Sequence, residues 1–204
     1  ANGQNYTFDA VLYATGRKPN TANIGLENTD ITTNERGAIV VNDTCESSVP
    51  GVYAVGDVNG GPQFTYISLD DFRIVFGALT GNGQYTLKDR KNIPYTTFLT
   101  PPLARIGLTE EDSINKGYTV KTKEMLVATM PRAHVNDYLK GAFKIVVNAE
   151  NNLILGATLY SQGAEELINL IKMAMDNNIP YTYFKNQIFT HPTMAENLND
   201  LCNF

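Results

Sequence analysis

The first ninety residues consist of short apolar runs separated by turn sequences. Residues 9–15 (DAVLYAT) form a nearly continuous apolar run, which is typical of a strand buried on both faces. Residues 37–42 (GAIVVN) and 52–55 (VYAV) predict two more strands, and residues 65–79 predict a helix. A glycine-rich loop at residues 59–62 precedes that helix. This pattern predicts part of an α/β domain.

The second half of the chain has a different pattern, in which residues 118–125 alternate polar and apolar positions as an antiparallel strand does. Strands are predicted at residues 95–99, 103–108, 118–125, 142–147 and 153–160, of which the last two flank a turn at residues 149–152 and form a hairpin. Helices are predicted at residues 109–117, 163–177 and 179–184. The apolar residues of 163–177 cover more than one stripe, so we expect this helix to be covered on more than one side.

The polar stretch that ends at Asn92 is interpreted as a linker, which predicts domains at residues 1–92 and 93–204. The chain does not begin with an initiator methionine, and its first strand is predicted within the first fifteen residues. We therefore expect it to be a piece of a longer protein. The formal net charge of −5 and the lack of basic clusters argue against a nucleic-acid surface. No apolar run approaches the length of a membrane span, and no signal peptide opens the chain.

The two cysteines, Cys45 and Cys202, lie far apart and fit neither a metal-ligand spacing nor a redox pair. We therefore expect no metal site and a reducing, cytoplasmic setting. Each cysteine is interpreted as a small hydrophobic residue or an idle thiol. His134 is expected to have a polar surface role, and scattered aromatic residues such as Tyr13 and Tyr53 to lie in the core.

The segment from Thr190 to Asn199 (THPTMAENLN) contains the strongest candidate for acid–base chemistry. Pro192 restricts the backbone of His191 to extended conformations, and Thr193 and Glu196 have the spacing of a capping box. That turn would bring the carboxylate back to the imidazole, fix its tautomer and leave the other ring nitrogen free to transfer a proton. The alternative is a capped C-terminal helix with a surface histidine before it.

Gly56 and Asp57 end a predicted strand and are followed by the glycine-rich loop and the helix. Ligands of open α/β sheets bind outside the carboxyl ends of strands, and the start of a helix stabilises anionic charge. The pair therefore suits a bound cofactor. The alternative is a simple strand–turn–helix in which the aspartate stabilises the turn.

Four segments then occur in one order along the chain: residues 14–20 (ATGRKPN), 51–57 (GVYAVGD), 100–111 (TPPLARIGLTEE) and 191–196 (HPTMAE). Together they resemble, over essentially the whole chain, the C-terminal half of the FAD-dependent pyridine nucleotide–disulfide oxidoreductases. This family includes glutathione reductase, dihydrolipoamide dehydrogenase and mercuric reductase. Residues 60–73 and 196–201 look most like the bacterial branch that is tied to defence against reactive chlorine and hypothiocyanous acid.

The resemblance implies a last segment of an FAD-binding domain, followed by an α+β interface domain with an antiparallel sheet flanked by helices. That second domain would make a homodimer. Gly56 and Asp57 would bind FAD, the latter at the ribityl chain, and the backbone of Phe64 and Thr65 would face the flavin ring.

By the same resemblance, His191 and Glu196 would act on the redox disulfide of the partner subunit. His191 would remove and return the thiol proton, and Glu196 would orient the imidazole ring of His191.

Two hypotheses about function stay open. In the first, the parent passes electrons from NAD(P)H through FAD and a cysteine pair to an oxidised small molecule, which could be a disulfide, a hypohalous or hypothiocyanous species, or a metal ion. In the second, the chain is a dimerisation module without activity. Because it has no Gly-x-Gly-x-x-Gly motif and no Cys-x4-Cys pair, we expect the isolated chain to be inactive and not to retain FAD. The choice between NADH and NADPH also stays open.

Overall fold

A computed structural model of the chain describes residues 3–204. The chain divides into two compact units, and the division falls between Arg90 and Lys91. The first unit contains helix α1 (Thr65–Thr80) and single-turn 3-10 helices at Leu26–Asn28, Gly56–Asn59 and Leu87–Asp89. The predicted helix at residues 65–79 is confirmed as α1.

The strand predicted at residues 9–15 is absent from the described part of the chain. These residues take part in no ladder there, and Leu12 and Tyr13 are 89% and 85% exposed. An apolar run indicates a tendency to be buried, whereas a strand also needs a neighbouring strand to satisfy its backbone hydrogen bonds. Because no described segment pairs with residues 9–15, the predictions of a strand and of a core Tyr13 are wrong here.

The other two strands predicted in the first unit are reduced to single bridges. Thr33 pairs with Ile39, and Glu46 pairs with Tyr53, both in antiparallel orientation. The small core of the unit comprises Ala38, Ile39, Cys45, Ala54, Ile67 and Ile74. Loops and one helix, rather than a sheet, therefore surround this core.

Asp71 links α1 to the turn that contains Gly56. Its side chain is fully buried, and Oδ2 accepts hydrogen bonds from the Gly56 N–H at 2.7 Å and from Asn59 Nδ2 at 2.9 Å. The Arg90 guanidinium donates to Asp71 Oδ1 and, through Nε, to Asp70 Oδ2 at 2.6 Å. A buried carboxylate is tolerated only when it is paired and hydrogen-bonded, and Asp71 meets both conditions.

The second unit is built on a five-stranded antiparallel sheet with strand order β1-β2-β5-β4-β3. The strands are β1 (Tyr95–Thr97), β2 (Leu103–Gly107), β3 (Val120–Leu126), β4 (Ala142–Asn148) and β5 (Ile154–Tyr160). The helices are α2 (Glu110–Asn115), α3 (Pro131–Val135), α4 (Ala164–Asp176), α5 (Tyr181–Asn186) and α6 (Asn197–Leu201). The predicted α+β fold, with an antiparallel sheet flanked by helices, is confirmed.

The core of the second unit lies between the sheet and its helices. Its fully buried side chains include Phe143, Ile145, Leu159, Ile168, Ile171, Leu198 and Leu201. Helix α4 buries one face in this core, whereas Leu170 and Met173 on its other side are 37% and 62% exposed. Among the described residues, 3–204, α4 is therefore covered on one side only.

We predict that Asp71→Ala destabilises the first unit. The substitution leaves the Gly56 N–H, the Asn59 amide and part of the Arg90 guanidinium without their buried acceptor. The free energy of unfolding should fall by about 3–5 kcal/mol, as for other broken buried ion pairs. Urea unfolding followed by circular dichroism measures it.

Asp70→Asn is the matched control, because Arg90 keeps its bond to Asp71 in that variant. It should cost clearly less than Asp71→Ala. Equal losses in the two variants would contradict the role assigned to Asp71.

Candidate functional site

His191 and Glu196 lie in contact, between α5 and α6. The imidazole Nδ1 is 2.8 Å from Glu196 Oε2, and the His191–Pro192 peptide bond is cis. The side chain of His191 is 69% exposed, whereas that of Glu196 is 19% exposed. The structure therefore presents an accessible ring on a largely covered carboxylate.

The capping-box hydrogen bonds between Thr193 and Glu196 are present. The Thr193 N–H donates to Glu196 Oε1 at 3.2 Å, and the Glu196 N–H donates to Thr193 Oγ1 at 3.2 Å. Helix α6 nevertheless begins only at Asn197, with Glu196 as the residue that precedes it. The box thus closes a turn ahead of the helix, and this corrects the expectation that Thr193 caps the helix itself.

The electrostatics of the pair favour an ionised carboxylate. The hydrogen bond from His191, followed by that from the Thr193 N–H and the attraction to the imidazole, lowers the pKa of Glu196 despite some desolvation. An ionised carboxylate only accepts hydrogen bonds, so Nδ1 carries the proton in this contact. The ring nitrogen Nε2 is then the one that does not contact the carboxylate.

Gly56 and Asp57 lie in a 3-10 turn beside α1. Gly56 is buried with φ of 73°, and an added Cβ would lie 2.7 Å from Ser68 Oγ, so this position favours glycine for both reasons. Asp57 is half exposed and forms an ion pair of 3.6 Å with Arg17. Because surface ion pairs contribute little stability, the Asp57 carboxylate remains available to accept hydrogen bonds from a ligand.

Phe64 and Thr65 lie at the start of α1. Phe64 occupies the N-cap position, and the N–H groups of Ile67 and Ser68 donate to its carbonyl at 2.9 and 3.3 Å. No side chain caps this helix start, and its first turn contains no acidic residue. A helix start of this kind carries partial positive charge and attracts anionic groups.

The cysteines and His134 were expected to have structural or surface roles. Both cysteine side chains are fully buried. This burial is the main reason why the pKa of Cys45 is raised to about 11 and that of Cys202 to about 12. His134 is exposed on α3, with Nε2 2.8 Å from the Ala128 carbonyl oxygen. Residues 3–204 contain no group of three or more histidine, cysteine or acidic side chains that could hold a metal ion.

Sequence reasoning missed the residues that hold these turns in place. Asp71 and Arg90 act on the Gly56 turn, and Asn199 and Lys123 act around α6. A buried aspartate in an amphipathic helix was the one visible signal, since Asp71 falls on the same face as Ile67 and Ile74.

None of the helices in the described part of the chain is long and apolar enough to cross a membrane.

We predict that Glu196 contributes stability that is lost in acid. Its pKa is lowered in the folded state, so the contribution is complete above the unfolded value of about 4.3 and disappears as the pH falls through the folded value. The difference in thermal midpoint between the wild type and Glu196→Gln should therefore be larger at pH 5 than at pH 3. Glu166→Gln, on the exposed side of α4, serves as the control. A difference that does not change with pH would contradict the prediction.

Comparison with known proteins finds relatives along nearly the whole chain. The probable pyridine nucleotide-disulfide oxidoreductase RclA of Escherichia coli is 48% identical over 193 residues, which cover 95% of this chain and 44% of RclA. The mercuric reductase of Staphylococcus aureus is 36% identical over 97% of this chain and 36% of its own length. The chain thus spans less than half the length of these relatives.

The fold of the chain also matches a solved structure closely. The structure described as HOCl-induced flavoprotein disulfide reductase RclA from Escherichia coli superposes with a TM-score of 0.90 and 46% sequence identity. The match covers 93% of this chain and 43% of that one.

Two family descriptions match successive parts of the sequence. Residues 1–71 match the pyridine nucleotide-disulphide oxidoreductases, and residues 93–202 match the dimerisation domain of the same family. The second match alone covers more than half of the chain. The chain therefore belongs to the pyridine nucleotide-disulphide oxidoreductase family.

Proposed function

We propose that this chain is the C-terminal part of a homodimeric reductase that passes electrons from NAD(P)H through FAD and a cysteine pair to an oxidised small molecule. Residues 1–92 would complete the FAD-binding domain, and residues 93–204 would form the dimer interface. His191 and Glu196 would act on the redox disulfide of the partner subunit. The chain itself contains no redox cysteine pair, so we expect it to be inactive alone.

The observation that carries this proposal is the hydrogen bond between His191 Nδ1 and Glu196 Oε2. A thiol that attacks a disulfide must lose its proton, and the thiolate that departs must gain one. The exposed Nε2 of His191 would take the first proton and return it in the second step. Glu196 would hold the ring and stabilise the positive charge that the ring bears between the two steps.

The first unit fits a bound flavin in two respects. The start of α1 at Phe64 and Thr65, whose first turn contains no acidic residue, suits the negative charge of a reduced flavin. The half-exposed Asp57 carboxylate suits hydroxyl donors of the ribityl chain. When bound, FAD supplies the transfer of two electrons between the nicotinamide and the cysteine pair.

The nature of the acceptor is open among three classes. A disulfide acceptor would be cleaved to two thiols for each NAD(P)H oxidised, whereas a hypohalous or hypothiocyanous species would be reduced at the halogen or sulfur atom. A metal ion would be reduced by electrons that arrive through the same cysteine pair. The relatives include mercuric reductases and a glutathione reductase, whose names favour testing the metal-ion and disulfide classes.

We predict that His191→Ala in the full-length protein impairs the oxidative half-reaction selectively. Loss of a general acid–base should lower the turnover of a disulfide acceptor by about 10²–10⁴-fold. Reduction of the flavin by NAD(P)H should remain near wild type, because no thiol proton moves in that step. Steady-state assays and rapid mixing monitored by flavin absorbance measure the two effects.

His134→Ala is the matched control, since it removes the other histidine of this chain. It should leave both half-reactions unchanged. Equal losses of both half-reactions in His191→Ala would refute the assigned role. A natural gene product that is colourless and has the mass of this chain would instead favour a dimerisation module without activity.

The proposed homodimer rests on the second unit. Residues 93–202 match a dimerisation domain, and α4 keeps Leu170 and Met173 exposed beside its buried face. Apolar residues on two sides of a helix favour a second covering layer. A second copy of the chain would provide that layer.

We predict a mass by light scattering of about twice 22.5 kDa at micromolar concentration. Met173→Glu should weaken the dimer at least about tenfold, because it places a charge in an apolar contact. Ile24→Glu is the control, since Ile24 is 58% exposed but lies in the first unit. A monomeric mass for the unsubstituted chain would count against the proposed interface.

A further inference from the structure

The ring of His191 receives little support from apolar packing. Phe189 and Met194 pack on the edge of the core, but Ile188 is 96% exposed and the His191 side chain is 69% exposed. Apolar stabilisation scales with the area removed from water, so these two exposed side chains gain little of it. The position of the ring therefore depends on Glu196 and on the backbone that carries the two residues.

Asn199 forms a polar link at the base of that backbone segment. Its Nδ2 donates to the carbonyl oxygens of Phe184 at 2.6 Å, Gln187 at 2.9 Å and Lys185 at 3.3 Å. These carbonyls lie at or just beyond the end of α5, where a helix leaves its last carbonyls without intrahelical partners. An amide has two N–H hydrogens, so the three acceptors share them. One side chain of α6 thus satisfies the end of α5.

The link closes a loop that contains both functional residues. Asn199 lies in α6, after Glu196, and Gln187 precedes His191, so the two ends of the contact are twelve positions apart in the sequence. The backbone that enters the segment is therefore tied to the helix that leaves it. The distance between His191 and Glu196 is set within this closed loop.

Helix α6 itself is fixed to the sheet. Leu198 and Leu201 are fully buried in the core. Lys123 on β3 donates from Nζ to the carbonyl oxygens of Asp200 at 2.7 Å and Asn203 at 2.6 Å, at the end of α6 where a cation is favoured. Asn199 therefore connects the sheet-bound helix α6 to the side of the loop that carries the exposed Ile188 and His191.

We infer that Asn199 is a positioning residue for the His191–Glu196 pair, which it holds in hydrogen-bonding register by tying α6 to the end of α5. The inference rests on the proposed function for its catalytic meaning, but its geometric part can be tested separately.

The first test uses imidazole nitrogen NMR on the 204-residue chain with labelled histidine. The chain contains only two histidines, so His134 serves as an internal reference. Glu196→Gln defines the shift of the His191 signals when the pair is broken. In Asn199→Ala, the His191 signals should move in that same direction, while the His134 signals stay in place.

Asn177→Ala is the matched control. Its Nδ2 also donates to a carbonyl near the end of a helix, that of Met173 at 2.8 Å, but it connects to no other element. It should leave both histidines unchanged. Unmoved His191 signals in a folded Asn199→Ala protein, or equal movement in Asn177→Ala, would overturn the inference.

Asn199→Ser serves if Asn199→Ala does not fold, as judged by circular dichroism. Its hydroxyl keeps one donor, so its His191 signals should move less than those of Glu196→Gln but in the same direction. Signals identical to those of the wild type would again overturn the inference.

The second test uses the full-length protein and separates the inference from the proposed function. Asn199→Ala should lower disulfide turnover by about 10- to 100-fold, as expected for a displaced catalytic group, and leave flavin reduction unchanged. If the NMR signals move but turnover does not, the positioning role stands and the proposed role of the pair is wrong. If His191→Ala abolishes turnover while Asn199→Ala affects neither readout, the proposed function stands and the inference is wrong.

Discussion

The site depends on one carboxylate that makes two contacts at once. Glu196 Oε2 lies 2.8 Å from His191 Nδ1, and Oε1 accepts the Thr193 N–H at 3.2 Å. The second contact closes the turn that follows the histidine, and the first orients the ring that the turn presents. Since the ring is largely exposed, it could not be aimed by packing. The same carboxylate therefore fixes the local backbone and the orientation of the ring.

Each unit fixes one turn with a single polar side chain, which accepts hydrogen bonds in the first unit and donates them in the second. In the first unit, the buried Asp71 carboxylate collects donors from Gly56, Asn59 and Arg90 and so fixes the turn that precedes α1. In the second, the amide of Asn199 supplies donors to three carbonyls and so fixes the segment that precedes α6. Both turns expose a candidate functional side chain, and both are positioned by one polar group on the adjoining helix. A partly covered hydrogen bond suits this task because it is directional, whereas apolar contact is not.

Much of the second unit could be predicted from the sequence because its signals are local. The turn at residues 149–152 between two strand sequences predicted the β4–β5 hairpin, and the spacing of Thr193 and Glu196 predicted their reciprocal hydrogen bonds. The first unit was harder, since a ladder requires a partner strand that the periodicity of residues 9–15 cannot supply. Asn199 and Asp71 were missed for a related reason. Their partners lie in other elements, and neither residue belongs to a recognisable short motif.

The exposed apolar residues of the first unit agree with the proposed larger reductase. Helix α1 buries Ile67 and Ile74 on one side, while Leu69, Phe72, Phe76 and Leu79 on its other sides are 50–66% exposed. Exposed apolar clusters of this kind mark surfaces that a further layer covers. Residues 9–15 show the same excess, since Val11, Leu12 and Tyr13 are 70–89% exposed, which is what a sheet strand without its neighbours would present. In the proposed FAD-binding domain, one covering layer accounts for both surfaces, and the strand that does not form here would gain the neighbours it needs.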